Sequence, residues 1–184
     1  MKTKTLVRGS LLCGVVLHFA SAQALDFQPD AAVVHGGAGK HGTAMAGVGL
    51  MWDWDWERLR RKAELTAHTE LLLNHWRADA VGGGNQSLTQ VVVLPTLRMQ
   101  LSQGHSPWYL EVGVGASWLD RKFTTPRKEF STQWNFYDVL GAGYVFGAQR
   151  QHEIGARWVH VSNAGIKKPN PGQDFLQLRY VARF

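Results

Sequence analysis

A histidine, a serine and an aspartate near the C-terminus have the types and spacing of a hydrolytic triad. His160 and Ser162 are two residues apart in a segment that alternates like a β-strand, so they share a face with the apolar Ile154 and Trp158. Residues two apart in a strand lie roughly 6.5 Å apart along it, a gap that an imidazole bridges in large part. His160 could therefore act as general base toward the Ser162 hydroxyl, provided that a carboxylate holds the ring in the right tautomer. Asp174 is the only carboxylate downstream of Ser162.

The β-hairpin that carries these residues decides whether they meet. Asp174 keeps the parity of Leu176 and Leu178, so a hairpin between the last two strands would bring it beside His160 on the same face. A His-x-Ser pair alone is a weak signal, because a polar pair at the edge of an apolar face is also a common interfacial feature. If this apolar face contacts lipid, polar side chains on it are energetically costly, which favours the functional interpretation.

The N-terminus has the layout of a secretory signal peptide. Lys2, Lys4 and Arg8 form a basic n-region, an apolar stretch covers residues 11–20, and small residues follow up to residue 24. The apolar stretch is too short for a spanning helix. We therefore predict a cleaved signal peptide at residues 1–24 and one domain at residues 25–184.

The amino-acid composition argues against several kinds of functional site. The single cysteine, Cys13, lies in the predicted signal peptide, so a mature chain would have no thiol for a disulfide, a zinc thiolate or a cysteine nucleophile. Loss of the three n-region cations lowers the formal charge from +6 to about +3, which gives little support to nucleic-acid binding. The histidines show no metal-ligand spacing, and we expect no metal or organic cofactor. The 20 glycines and 8 tryptophans suit a twisted sheet or barrel better than a helical bundle.

Period-two alternation recurs along the chain in segments of about ten residues or more, longer than most strands of soluble sandwiches. The predicted strands cover residues 27–35, 43–56, 64–77, 88–101, 108–119, 130–146, 152–162 and 175–184. One face of each is apolar, while the other is rich in glycine with isolated charges, as expected for the crowded interior of a narrow barrel. The fold class is thus all-β, an eight-stranded antiparallel transmembrane β-barrel of the bacterial outer membrane, with a lumen filled by side chains.

The last strand supports this topology, because the chain ends on Phe184 in register with an alternating apolar face. Such barrels normally have both ends on the periplasmic side, so the seventh strand would run outward and place His160 and Ser162 at its extracellular end. Trp52, Trp54 and Trp56 are expected in an aromatic girdle. A buried polar network is predicted from the charged and histidine residues of the inward face, with a second active site there as the weaker alternative: Asp53, Asp55, His68, Glu70 and Arg98.

The segments HVSNAG and IKKPNPGQD, in a barrel ending in an aromatic residue, resemble the lipid A 3-O-deacylase family, PagL. In that family a histidine and a serine two residues later work with a carboxylate fourteen residues after the histidine. His160, Ser162 and Asp174 occupy those spacings, although the family acid is glutamate. The resemblance also implies that Asn163, Gly165 and Asn170 shape an oxyanion hole; turn chemistry explains Asn170 equally well.

The resemblance implies an esterase that removes the 3-O-linked acyl chain of lipid A, or lipopolysaccharide, in the outer membrane. Lys167 and Lys168 could bind its phosphates, as could the loop cations Arg121, Lys122, Arg127 and Lys128, with solvated loop charge as the alternative. Rival functions are a non-enzymatic adhesin or envelope-stabilising, lipid-binding barrel, and an acyltransferase or phospholipase on the same fold. The sequence leaves open whether the barrel is a homodimer.

Overall fold

The computed structural model describes residues 27–59 and 62–184, which form eight antiparallel strands closed into a barrel. The strands are β1 (Ala31–Gly39), β2 (Ala44–Leu59), β3 (Ala63–Asp79), β4 (Asn85–Leu101), β5 (Trp108–Leu119), β6 (Trp134–Phe146), β7 (His152–Ser162) and β8 (Gln173–Arg183). β1 pairs with both β2 and β8, so each of these strands has two hydrogen-bonded neighbours. The predicted eight-stranded antiparallel barrel is confirmed. The predicted signal peptide, residues 1–24, lies outside the described residues and stays a prediction.

β1 and β6 each begin four residues after their predicted starts. The first strand is predicted at residues 27–35, whereas β1 spans Ala31–Gly39 and continues through three glycines. Glycine is needed there because β8 packs closely: a Cβ on Gly37 would come within 2.9 Å of a β8 carbonyl oxygen. β6 begins at Trp134 rather than at residue 130, since the chain around Phe130 turns inward and buries that ring.

Side chains alternate between the two sides of the barrel wall. On β5, for example, Leu110, Val112 and Val114 are about half exposed, whereas Tyr109 and Glu111 are buried. The other strands repeat this pattern along most of their length, with apolar side chains outside and buried, often polar ones inside. The predicted assignment of the apolar face to the exterior is therefore confirmed. In the part of the chain that the structure describes, no helix has the length and apolar character to span a membrane.

The outer apolar face of β5 has the length expected of a membrane-spanning strand. Trp108 and Trp118 lie on the same face at the two ends of β5, and both rings are more than half exposed. Ten residues of strand span about 33 Å, and a tilt of about 40° reduces this to about 25 Å along the barrel axis. Trp54 and Trp56 are exposed on β2, at the end of the barrel where β1 begins and β8 ends, as expected of a girdle.

Charged side chains fill the middle of the lumen. They include three buried glutamates and three buried arginines: Glu70, Glu111, Glu153, Arg98, Arg157 and Arg179. Arg157 Nη2 donates to Glu70 Oε1 at 2.6 Å, and Arg179 Nη2 donates to the same oxygen at 2.8 Å. Arg98 Nη2 donates to Glu153 Oε2 at 2.7 Å. The six charges compensate one another, as a buried ionic cluster requires.

The predicted polar network is confirmed for three of its five residues. Glu70 and Arg98 belong to the central cluster, and His68 Nε2 lies 3.1 Å from Glu70 Oε1. Asp53 lies at the edge of the lumen, where it is 42% exposed and pairs with Arg183. The prediction for Asp55 is wrong: it is exposed, because β2 bulges between residues 53 and 57 and leaves the regular ladder with β3.

The end of the barrel opposite the start of β1 and the end of β8, here called the distal rim, consists of the segments 40–43, 80–84, 120–133 and 163–172. A buried aromatic cluster lies below it. The ring of Trp76 packs edge-on against Phe175 and Phe123, with centroid distances of 4.7 and 5.5 Å, and Phe123 packs in the same way against Phe130 at 5.1 Å. The segment 120–133 is thereby anchored on the barrel, beside the last hairpin.

Candidate active site

The last two strands bring His160 and Asp174 together. They are directly opposite each other in the β7–β8 ladder, and His160 Nδ1 lies 2.7 Å from Asp174 Oδ1. Both side chains remain accessible, at 31% and 38% exposure. Neighbouring strands place the Cβ atoms of such a pair about 5 Å apart, so a short carboxylate is sufficient to reach the ring. With Nδ1 engaged by the carboxylate, Nε2 is the nitrogen left for a proton-transfer partner.

Ser162 ends β7 and lies opposite Phe136 of β6. It shares the parity of His160 and of the exposed Trp158, although its own exposure is only 6%. Its Oγ accepts a long hydrogen bond from Ala164 N, at 3.4 Å. The hydrogen bonds of the described residues do not include one between His160 and Ser162. The histidine–carboxylate pair is thus assembled, while Ser162 lies two residues further along β7.

Two neighbours fix the plane of the His160 imidazole. The Trp158 ring stacks against it, with a centroid distance of 5.7 Å and an interplanar angle of 21°. Gly172 covers it from the β7–β8 connection: a Cβ on this residue would come within 2.6 Å of His160 Cε1. Gly172 also has φ of +62°, a conformation that favours glycine. Any side chain at position 172 would therefore displace the histidine.

A second carboxylate lies on the other side of His160. Asp138 of β6 is the direct ladder partner of His160, so β6, β7 and β8 carry an Asp–His–Asp row across three adjacent strands. Asp138 precedes Ser162 in the chain, so the prediction of a carboxylate downstream of the serine did not include it. A signal was available: Asp138 interrupts the apolar parity of Trp134 and Leu140, just as His160 interrupts that of β7.

The predicted oxyanion segment is organised around the Asn163 side chain. Its Nδ2 donates to Ser131 Oγ at 2.9 Å, to Thr132 Oγ1 at 3.1 Å and to Lys167 O at 2.9 Å. Its Oδ1 accepts a hydrogen bond from Gly165 N at 3.0 Å. The Asn163 carboxamide is therefore committed to the loop itself. These hydrogen bonds hold the segment in its conformation.

Asn170 has the complementary arrangement. Its Oδ1 accepts a hydrogen bond from Asn163 N at 3.0 Å, which draws residue 170 back toward the end of β7. Within residues 27–59 and 62–184, no hydrogen bond is donated by its Nδ2, so the N–H groups of this carboxamide are available to another acceptor. Gly165, with φ of +76°, provides the turn between the two asparagines.

The segment 120–133 holds the β7–β8 connection from its side. Ser131 Oγ donates to Lys167 O at 2.8 Å, and Ser131 N donates to Pro169 O at 3.2 Å. Lys128 Nζ donates to Gly172 O at 2.7 Å. The loop that carries the predicted oxyanion residues is thus hydrogen-bonded to a second loop, which the aromatic cluster anchors.

The cations that were predicted to bind phosphate all lie on the distal rim but differ in their surroundings. Lys167 and Lys168 are exposed on the β7–β8 connection. Arg121 pairs with its neighbour Asp120, and Arg127 Nη1 lies 3.3 Å from His41 Nδ1. Lys128 is half-buried, unlike its neighbours Arg127 and Glu129.

The chain is similar in sequence to known lipid A deacylases. The family model described as lipid A 3-O-deacylase (PagL) matches residues 44–183. The lipid A deacylase PagL of Pseudomonas aeruginosa is 31% identical over 168 residues, which cover 89% of each chain. That of Bordetella bronchiseptica is 33% identical over 118 residues, which cover 62% of this chain and 61% of that relative, so the match spans less than two thirds of its length.

A crystal structure of the outer membrane enzyme PagL has the same fold, with a TM-score of 0.73 at 23% sequence identity. The superposition covers 84% of this chain and 99% of the other. The closed barrel, its apolar exterior and these matches together place the chain in the outer membrane. The chain belongs to the lipid A 3-O-deacylase (PagL) family.

Proposed function

We propose that the protein is an outer-membrane esterase that hydrolyses the 3-O-linked acyl chain of lipid A. The observation that carries the proposal is the 2.7 Å contact between His160 Nδ1 and Asp174 Oδ1. It gives an imidazole oriented by a carboxylate, on the strand face that also carries Ser162. An oriented histidine beside a serine is the arrangement that activates a hydroxyl for acyl transfer.

In the proposed reaction, Ser162 Oγ attacks the ester carbonyl carbon while His160 Nε2 accepts the hydroxyl proton. Asp174 keeps the Nδ1 proton in place and stabilises the imidazolium that forms. The tetrahedral intermediate places negative charge on the former carbonyl oxygen, for which the Asn170 carboxamide is the proposed donor and Gly165 provides space.

Collapse of this intermediate breaks the ester bond. The sugar 3-oxygen takes the proton from His160 and leaves as a hydroxyl, while the acyl group stays on Ser162. Water then attacks the acyl-enzyme with His160 again as base, which releases the fatty acid and regenerates the serine. The triad is proposed to act from the outer wall, because its residues have the parity of the lipid-facing positions of β7 and β8.

The phosphate groups of the proposed substrate support a role for two loop lysines. Lipid A carries phosphate groups, and Lys167 and Lys168 are exposed on the loop next to the triad, where they could bind a phosphate. The site uses only side chains and water in this proposal. A homodimer would leave the triad of each barrel complete, since its residues all come from one chain.

Replacement of Ser162 by alanine tests the proposal. Lipid A from cells that express the wild-type protein should lose one 3-hydroxyacyl group, as measured by mass spectrometry, whereas lipid A from cells with Ser162→Ala should keep it. The matched control is Ser87→Ala, an exposed serine of β4, which should behave like the wild type. Unchanged deacylation by Ser162→Ala would contradict the triad assignment. Products from glycerophospholipid would instead indicate a phospholipase, and unmodified lipid A with the wild type would favour a non-enzymatic barrel.

A further inference from the structure

Lys128 occupies an unusual position for a loop lysine. Its ammonium donates to Gly172 O at 2.7 Å, and Gly172 is the residue that covers the His160 imidazole. One residue therefore separates this cation from the proposed catalytic base. The side chain is half-buried, while the residues on either side of it are exposed.

The surroundings of Lys128 leave its charge poorly compensated. Burial lowers the pKa of its ammonium group, Asp174 acts in the opposite direction, and the nearby cation Lys40 lowers the pKa further. Among residues 27–59 and 62–184, no carboxylate oxygen lies within 4.0 Å of either lysine nitrogen. An ammonium group has three donors, and the bond to Gly172 uses only one of them. An anion placed between the two lysines would satisfy these donors and offset the repulsion.

We infer that Lys128, assisted by Lys40, binds the phosphate monoester on the same sugar ring as the ester that is cleaved. The inference rests on the proposed function, because it takes the substrate to be an acylated glucosamine phosphate. A phosphate and a 3-O-ester on one ring must be held within a few ångströms of each other. Lys128 is half-buried and hydrogen-bonded to the residue that covers His160, whereas Lys167 and Lys168 are exposed, so we assign that phosphate to Lys128.

The alternative role for Lys128 is structural: its hydrogen bond would merely tether Gly172 against His160. The two roles differ in one measurable respect. A tether affects the hydrolysis of every substrate equally, whereas a phosphate ligand affects only substrates that carry the phosphate. The experiment therefore compares 2,3-bis(3-hydroxyacyl)glucosamine 1-phosphate with the same diacylglucosamine lacking phosphate, in detergent micelles free of phospholipid.

The wild type should hydrolyse the phosphorylated substrate with at least about tenfold higher kcat/KM than the dephosphorylated one, since a charge-assisted hydrogen bond has about that effect on affinity. Lys128→Met should remove most of this preference, mainly through KM. Lys128→Arg should restore much of it, because the positive charge returns. Lys62→Met is the matched control, because it removes an exposed lysine from the opposite end of the barrel and should keep the wild-type preference.

Equal losses by Lys128→Met on both substrates would identify a tether and overturn the inference. A wild type without preference for the phosphorylated substrate would overturn it as well. Failure of the proposed function has a different result, since the wild type would then hydrolyse neither compound. The heat-dependent shift of the folded barrel on gel electrophoresis shows that each variant is folded before its kinetics are compared.

Discussion

The length of the acidic side chain decides whether Asp174 can orient His160 in the way that glutamate is expected to do in the PagL family. Asp174 reaches His160 because the two residues are direct ladder partners, and their side chains project from adjacent strands on the same face. The Cβ atoms of a cross-strand pair lie about 5 Å apart. The aspartate side chain, with its single methylene group, is therefore long enough to place Oδ1 at 2.7 Å from His160 Nδ1. The shorter acid is therefore compatible with an oriented imidazole.

Asp174→Asn should lower kcat by about 10³- to 10⁴-fold, because an amide can hold the imidazole in the wrong tautomer and cannot stabilise the imidazolium. KM should change little, since the carboxylate acts through His160. The measurement is steady-state kinetics on a 3-O-acylated glucosamine phosphate.

Asp174→Glu is the control for that variant. It keeps the negative charge and restores the acid of the resembling family, so its kcat should stay within about tenfold of the wild type. If Asp174→Asn kept wild-type kcat, His160 would not depend on this carboxylate. Asp138, the partner of His160 on β6, would then be the next candidate.

At the scale of elements, the site depends on two loops rather than on one. The β7–β8 connection carries the asparagines, but the segment 120–133 supplies two of the acceptors of the Asn163 carboxamide. Phe123 and Phe130 fix that segment by packing into the aromatic cluster at the top of the lumen. Loops that position functional groups in this way need a rigid support.

The double variant Ser131→Ala, Thr132→Val should therefore lower kcat by about tenfold, because Asn163 would lose two acceptors and the proposed oxyanion segment would shift. The free energy of unfolding should fall by only about 1 kcal/mol per lost hydrogen bond. Ser87→Ala, Thr89→Val makes the same two changes at exposed positions of β4 and should leave kcat unaltered. Equal kcat in the two double variants would show that this contact does not matter for catalysis.

At the scale of the whole molecule, the ionic cluster in the lumen joins strands that are far apart in the sequence. Glu70 of β3 accepts hydrogen bonds from Arg157 of β7 and Arg179 of β8, so a single carboxylate bridges opposite sides of the barrel. The cluster lies on the inner side of the wall, while His160 and Asp174 have the opposite parity. Stability and activity should therefore be separable.

Glu70→Gln should lower the free energy of unfolding by about 3–5 kcal/mol, because two buried arginines would lose the charge that compensates them. Urea unfolding in detergent, followed by tryptophan fluorescence, measures this change. The control, Glu129→Gln, makes the same substitution at an exposed loop position, where an effect within about 0.5 kcal/mol is expected. The kcat of Glu70→Gln, calculated per folded molecule, should equal that of the wild type. A lower kcat per folded molecule would link the ionic cluster of the lumen to catalysis.

The sequence by itself determined the features that depend on local periodicity. Strict alternation over ten or more residues identified the strands, their apolar face and the parity of His160, Ser162 and Asp174, since side-chain direction in a strand follows directly from position. The short separation between His160 and Asp174 also made their pairing predictable, because one hairpin sets their register.

The tertiary structure decided everything that depends on register between distant strands. Asp138 meets His160 only through the β6–β7 ladder, and Glu70 meets Arg157 only because the barrel closes. The support that Ser131 gives to Asn163 depends on how two loops fold over the rim. Local alternation indicates which side of the wall a residue faces, but only closure of the sheet, with its specific register and bulges, determines which residues meet there.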